Sequence, residues 1–263
     1  MHHLPTWFDI LPFNERLLAI AHLFGRPAND EGVSWIAREP IGLHHVYGAV
    51  FIMLLLLLFG IMTSASIARS KGDLLPEDKL TVRNFVEVFI TATYSLMAGI
   101  MGKKAARYFL PLIGTCAFFI FFSNAIGLVP GFSPPTGKLN TTVACAIVIF
   151  FATHIFGVKE QGFVNYFKHF MGPLIGPQWI LLMAIMFVIE LISHFARPVS
   201  LSIRLMANMT ADHVVVGAFL AMVPFLVPVP MMLLGCLVVT VQTLVFCLLS
   251  TVYIALAIEH GEH

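Results

Sequence analysis

Arg204 carries a charge that its own segment does not balance. It stands in the run Leu201-Ser202-Ile203-Arg204-Leu205-Met206, and an arginine at mid-membrane depth costs about 2.5–3.5 kcal/mol on insertion scales. Its neighbours at i±3 and i±4 are Ser200, Leu201, Ala207 and Asn208, none of them acidic. A counter-charge must therefore come from another helix, from water or from another subunit. A guanidinium stays protonated even when poorly solvated, whereas a lysine so placed can lose its proton. The chemistry on offer is that of a fixed positive charge, which attracts a carboxylate and repels a mobile cation.

The surrounding residues extend this pattern. At about 100° per residue, Glu190, Ser193, Arg197, Ser200, Arg204 and Asn208 fall within roughly 40° of one line. They form a polar stripe on a helix otherwise made of Leu, Ile, Val, Met and Phe. Ala207 and Ala211 near the same side are small enough to admit another helix closely. Asp212 and His213 lie a turn or more beyond and project to other faces. Gln242 is the lone strong hydrogen-bonding side chain in the final apolar run, with Gly235 two turns before it. Some of these residues also have plain structural readings. Ser193 and Ser200 can return their hydroxyls to backbone carbonyls, Arg197 can reach lipid headgroups, and His154, His169 and His194 read as interfacial or packing residues.

The elements that must hold these residues are transmembrane helices. Hydrophobic residues make up 59% of the 263-residue chain and charged ones only 11%, against roughly a quarter charged in soluble domains. Mean hydropathy is +0.90. A formal net charge of +1 argues against nucleic acid as a partner; the surrounding partner is membrane lipid. The start Met1-His2-His3-Leu4-Pro5 has no basic region followed by an apolar one, so no cleaved signal peptide is expected. Cys116, Cys145, Cys236 and Cys247 lie in apolar runs without paired spacing and read as buried thiols; no metal site or other cofactor is expected.

Residues 1–44 read as an extracytoplasmic tail, 45–258 as the membrane domain and 259–263 as a short cytoplasmic tail. Val46–Ala68 is free of charge and long enough for one span. The stretch 83–107 has apolar residues at helical spacing with charges at its ends, and reads as an amphipathic surface helix. Tyr108–Val129 and Thr141–Val158 flank a Pro/Gly-rich turn and read as a transmembrane hairpin. Residues 178–223 form a helical pattern roughly 70 Å long against a hydrocarbon core of about 30 Å, and Pro224, Pro228 and Pro230 mark the turn into a last long helix. The fold expected is an all-α polytopic membrane protein with about five crossings, ending in two long, strongly tilted antiparallel helices. Basic residues between 69 and 107, with Lys159 and Lys168, put those loops and the C-terminus in the cytoplasm and the N-terminus outside.

The run Arg197-Pro198-Val199-Ser200-Leu201-Ser202-Ile203-Arg204-Leu205-Met206-Ala207-Asn208-Met209 strongly resembles the signature of subunit a of F-type ATP synthases. Tyr108-Phe109-Leu110-Pro111-Leu112, Ser123-Asn124-Ala125-Ile126-Gly127, Asn140-Thr141-Thr142 and Val241-Gln242-Thr243 followed by Tyr253 match in the family's order. The resemblance implies a stator subunit of the Fo sector, in a bacterial inner membrane, without catalysis of its own. Its partners would be the ring of c subunits, the peripheral-stalk b subunits and the rest of the F1Fo complex. It also implies that Arg204 faces the ring's essential carboxylate and separates two offset half-channels. Asn208, Gln242, His213 and Asn124 would belong to the outer path, and Glu190 and Ser193 to the cytoplasmic one.

One departure stands out. Many members of that family carry an acid where this chain has His213, and a histidine where it has Gly235. Either Asp212 substitutes for the missing partner or His213 relays alone, histidine being the side chain that titrates nearest neutrality. The competing class is a secondary transporter with Glu190, Arg204 and Asp212 as a coupling site, but the chain shows no internal repeat.

Overall fold

Backbone N–H and C=O groups have no water to bond in a bilayer, so a chain this apolar satisfies them within helices. The computed structural model describes residues 44–69, 81–129, 132, 134–163, 180–222 and 228–259. The expected tails 1–44 and 259–263 lie outside them but for His44 and Glu259, as do His169 and the turn at Pro224. Helix α1 spans His44–Arg69, α2 Val82–Ile126, α3 Leu139–Gln161, α4 Ile180–Met222 and α5 Pro228–Glu259, with a 3-10 turn at Pro135–Gly137 before α3. Each of the five contains a stretch long and apolar enough to cross a membrane, and no strand occurs among the described residues.

Hydroxyls inside these helices mostly turn back on the backbone. Thr93, Thr153, Thr243 and Thr251 each donate to the carbonyl four residues earlier, which meets their own hydrogen-bonding demand in an apolar surround. Small residues then let the helices close up: Ala106, Ala117 and Ala146 are buried beside Ile113, Ile120 and Ile149, where lipid offers no hydrophobic drive and close packing must hold the helices together. The thiols are all free. Cys247 is buried and Cys116 and Cys145 partly so, but Cys236 is exposed on α5, which corrects the expectation that all four are buried: helical periodicity turns it to the outer face.

The stretch 83–107 is not an isolated surface helix. The break falls at Gly102 (φ 78°, ψ 161°), and the chain folds back there. Phe89 lies 4.1 Å from Phe118, and Phe85 meets Phe121 and Phe122 at 6.3 and 6.1 Å between ring centroids. Arg83 is buried, its Nε donating to Glu87 Oε1 at 2.7 Å. One side of Val82–Met101 thus packs on the second half of α2, aromatic on aromatic.

The two C-terminal helices match their expected lengths. At 1.5 Å per residue the 43 residues of α4 run about 65 Å and the 32 of α5 about 48 Å, more than the bilayer core requires. Helix α4 continues through Pro198. Contacts at Asn208 with Gln242 and at Arg197 with Tyr253 make the pair antiparallel. Helix α5 packs chiefly on α2, and α3 fills the angle between α4 and α5. Gln161 Nε2 donates to the Ala257 carbonyl at 2.7 Å, fixing the end of α3 to the end of α5.

Gly102 occupies backbone space that is essentially reserved for glycine. Gly102→Ala is expected to cost about 1–3 kcal/mol of stability, read as a lowered midpoint of unfolding in detergent. Gly99→Ala, a helical position with nothing within 4 Å of the added carbon, should be neutral or stabilising.

Candidate functional site

Helix α4 has a packed face and an open face, and the polar stripe runs along the border between them. His194, Leu201, Ser202, Leu205 and Met209 are buried against α3 and α5, while Val199, Ser200, Ile203, Arg204, Ala207, Asn208 and Ala211 are exposed. The border explains why the stripe's members behave differently. Glu190, Arg197 and Asn208 turn far enough inward to find partners in this chain. Arg204 does not: among the described residues it makes no ion pair or hydrogen bond. Its charge stands beside Ala207 and Ala211 on a face that no described element of the chain covers.

One turn along, Asn208 Nδ2 donates to Gln242 Oε1 at 2.7 Å. Gln242 is buried and Asn208 lies at the edge, so the two amides tie α4 to α5 directly beside the arginine. Of the nearby hydroxyls, Ser202 returns to the Val199 carbonyl. Ser193 and Ser200 make no such bond, which leaves their hydroxyls to face the stripe.

Further along the same seam, Asp212 meets Gly235. A side-chain carbon placed on Gly235 would come within 3.0 Å of Asp212 Oδ2 and 2.6 Å of Leu128 Cδ2. The carboxyl therefore occupies the space a larger residue at 235 would fill. His213, next in sequence, is exposed on another face of α4. Thr210 Oγ1 reaches the Gly137 carbonyl at 3.3 Å, which holds the 3-10 turn against this end of α4. Asn124 sits behind that turn, fully buried, its Oδ1 accepting from Thr136 Oγ1 at 2.6 Å. Its Nδ2 and the neighbouring Ser123 hydroxyl are buried without a hydrogen-bond partner among the described residues. The structure thus brings Arg204, Asn208 and Gln242 together, joins Asp212 to Gly235, and sets Asn124 behind the hairpin turn.

At the other end of the stripe lies a group that composition and spacing alone leave scattered. Glu190 Oε1 is 3.2 Å from His194 Nε2, and His194 is buried. His154 of α3 stacks on Phe150 and stands edge-on to His194, ring centroids 5.2 Å apart. The Arg197 guanidinium lies over the Tyr253 ring at 5.4 Å, a cation–π contact in place of a lipid headgroup. His154 packs on Phe150 and also meets His194, which pairs with Glu190, so the reading of the two as interfacial or packing residues is incomplete. The i,i+4 spacing of Glu190 and His194 was the available signal, as was the three-turn spacing from Gln242 to Tyr253.

Comparison with known proteins accords with this geometry. The family model described as ATP synthase A chain matches residues 48–255. The protein named ATP synthase subunit a from Sorangium cellulosum is 45% identical over 239 residues, covering 90% of this chain and 91% of its own. That of Trichlorobacter lovleyi is 47% identical over 217 residues, 82% of this chain and 87% of its own. ATP synthase subunit a 3 of Pelobacter propionicus is 39% identical over 255 residues, 97% of this chain and 98% of its own.

The amide pair beside Arg204 is measurable on its own. A double-mutant cycle of Asn208→Ala and Gln242→Ala, followed by unfolding in mixed micelles, should give a coupling of about 0.6–1.7 kcal/mol. Strictly additive losses would mean that the bond does not form.

Proposed function

Since this chain belongs to the ATP synthase A chain family, we propose that Arg204 is the fixed charge on which its ion coupling turns. The chain is a multi-pass membrane protein, the proton-translocating stator subunit of the Fo sector, and part of the F1Fo complex. It borders the ring of c subunits through the open face of α4, and it carries out no catalysis alone. The observation that carries this reading is the pairing of an exposed, unpartnered Arg204 with small residues Ala207 and Ala211 on the same face. A helix that brings a carboxylate to this face supplies what Arg204 lacks.

The mechanism follows from charge. A deprotonated carboxylate is drawn to the guanidinium, and arrives only after giving up its proton on one side. A proton moving directly between the two sides meets the same positive charge and is repelled. The ring therefore turns while the direct leak stays closed. Each proton descending about 100 mV releases roughly 2.3 kcal/mol, so several are needed for each ATP.

Asn208 and Gln242 line the outer path next to Arg204, and Asn124 borders it from behind the hairpin turn. Asp212, seated against Gly235, takes the acid's place on that path, and His213 exchanges protons from the exposed side. Glu190 and Ser193 open toward the cytoplasm. The b subunits of the peripheral stalk hold the subunit still, the membrane is the bacterial inner membrane, and the N-terminus lies outside with the C-terminus in the cytoplasm. The excess of lysine and arginine between 69 and 107 supports that orientation.

Arg204→Ala in the assembled complex should abolish ATP-driven proton pumping and raise passive proton flux through membranes stripped of F1. A secondary transporter would keep ring-coupled pumping intact. Retained pumping with unchanged leak would overturn the proposal.

A further inference from the structure

The histidine pair remote from Arg204 lines a cavity of about 20 Å³, room enough for one water molecule. The titratable and charged groups facing it come from every helix that lines it: His154 from α3, His194 and Arg197 from α4, and Tyr253 from α5. Glu190 adjoins through its contact with His194. The rest of the lining is apolar, with Ile149 and Leu201, apart from Thr153, whose hydroxyl turns back to the Ile149 carbonyl. Among the described residues no three His, Cys, Asp or Glu converge as metal ligands. Imidazoles in such a place are matched to protons.

Each ring has a partner that orients it. His154 Nδ1 lies 2.8 Å from the Phe150 carbonyl, an oxygen that only accepts, so Nδ1 carries the proton and Nε2 is the exchanging atom. His194 turns Nε2 toward the Glu190 carboxylate; in the neutral ring Nε2 donates there and Nδ1 is the acceptor. Pro198, also on the cavity, has no N–H to give the carbonyl of His194. Arg197, held over Tyr253, closes the remaining side.

We propose that His154, His194 and Glu190 form a proton relay, through one water in this cavity, that serves the cytoplasmic path along α4; this rests on the function proposed above. A proton on His154 Nε2 passes to the water, which hands one to His194 Nδ1, while His194 Nε2 releases its own to Glu190. Only N–H and O–H bonds form and break, and the net change is one proton moved from His154 to Glu190. The reverse sequence carries a proton outward from Glu190. The relay passes protons and has no place for Na⁺.

The test uses the assembled complex with isosteric amides. His154→Asn keeps a donor to the Phe150 carbonyl, and His194→Gln keeps a donor to Glu190, yet neither titrates. Passive proton conductance is measured in F1-stripped membranes in sodium-free buffer from pH 5.5 to 8.5, normalised to F1 rebinding capacity. Each single variant should lose about tenfold or more of the conductance, and the native dependence on pH across that range should flatten. Native-like conductance and pH profile in either variant would overturn the relay, since both rings act in series. If neither variant assembles, ¹⁵N-histidine NMR of the native complex decides: the neutral rings must carry their proton on Nδ1 at His154 and on Nε2 at His194, and the opposite tautomer at either ring overturns the relay. Absence of proton conductance in native membranes would instead defeat the function on which the relay rests.

Discussion

A guanidinium cannot discharge itself, and in a medium of low dielectric it must be answered by a carboxylate or by water. Among the described residues no carboxylate answers Arg204. Left against lipid it would carry the full insertion cost of a charge in hydrocarbon. The rest of the architecture keeps that charge in place and leaves its face open. Helix α4 is too long for one upright crossing, and it is held on its other side by α3, α5 and the 3-10 turn. One face of α4 is thus left uncovered by any described element, and it is there that the proposed function places the ring.

Two polar systems flank that surface, and they are built differently. Toward the hairpin turn, amides and a carboxyl line the α4–α5 seam: Asn208 with Gln242, then Asp212 against Gly235. Toward the other end, imidazoles and an ion pair lie between α3 and α4, capped by Arg197 on Tyr253. Arg204 stands between the two. Under the proposed mechanism, protons that reach it from either side meet the same positive charge, and the two half-channels follow the separation of the two systems along α4.

Much of this was legible in the residue pattern, because lipid enforces it. Charge-free runs had to be spanning helices, and a pattern as long as 178–223 had to be one slanted helix. The stripe from Glu190 to Asn208 followed from helical geometry alone. Periodicity could not tell that the stripe runs along an edge, so that Arg197 and Asn208 reach partners on α5 while Arg204 does not; that depends on where α3 and α5 lie. Nor could it place the turn at Gly102, because an apolar face buried on the next segment and one buried in lipid read alike. The pairing of His154 with His194 joins residues forty positions apart on different helices, and only packing reveals it. Gly235 read as a missing histidine, whereas the structure fills its space with Asp212.

The most direct measurement asks what covers Arg204. With the four native cysteines replaced by serine, Ala207→Cys puts a thiol one turn from Arg204 on the open face. A second cysteine goes one turn from the essential carboxylate on the ring helix. Disulfide formation requires the two backbones to approach within about 4.4–6.8 Å. Oxidation should link subunit to ring in high yield and stop ATP-driven rotation, with reduction restoring it. A thiol at Leu57, exposed on α1, should not link. Cross-linking at Leu57 with none at Ala207 would contradict the account.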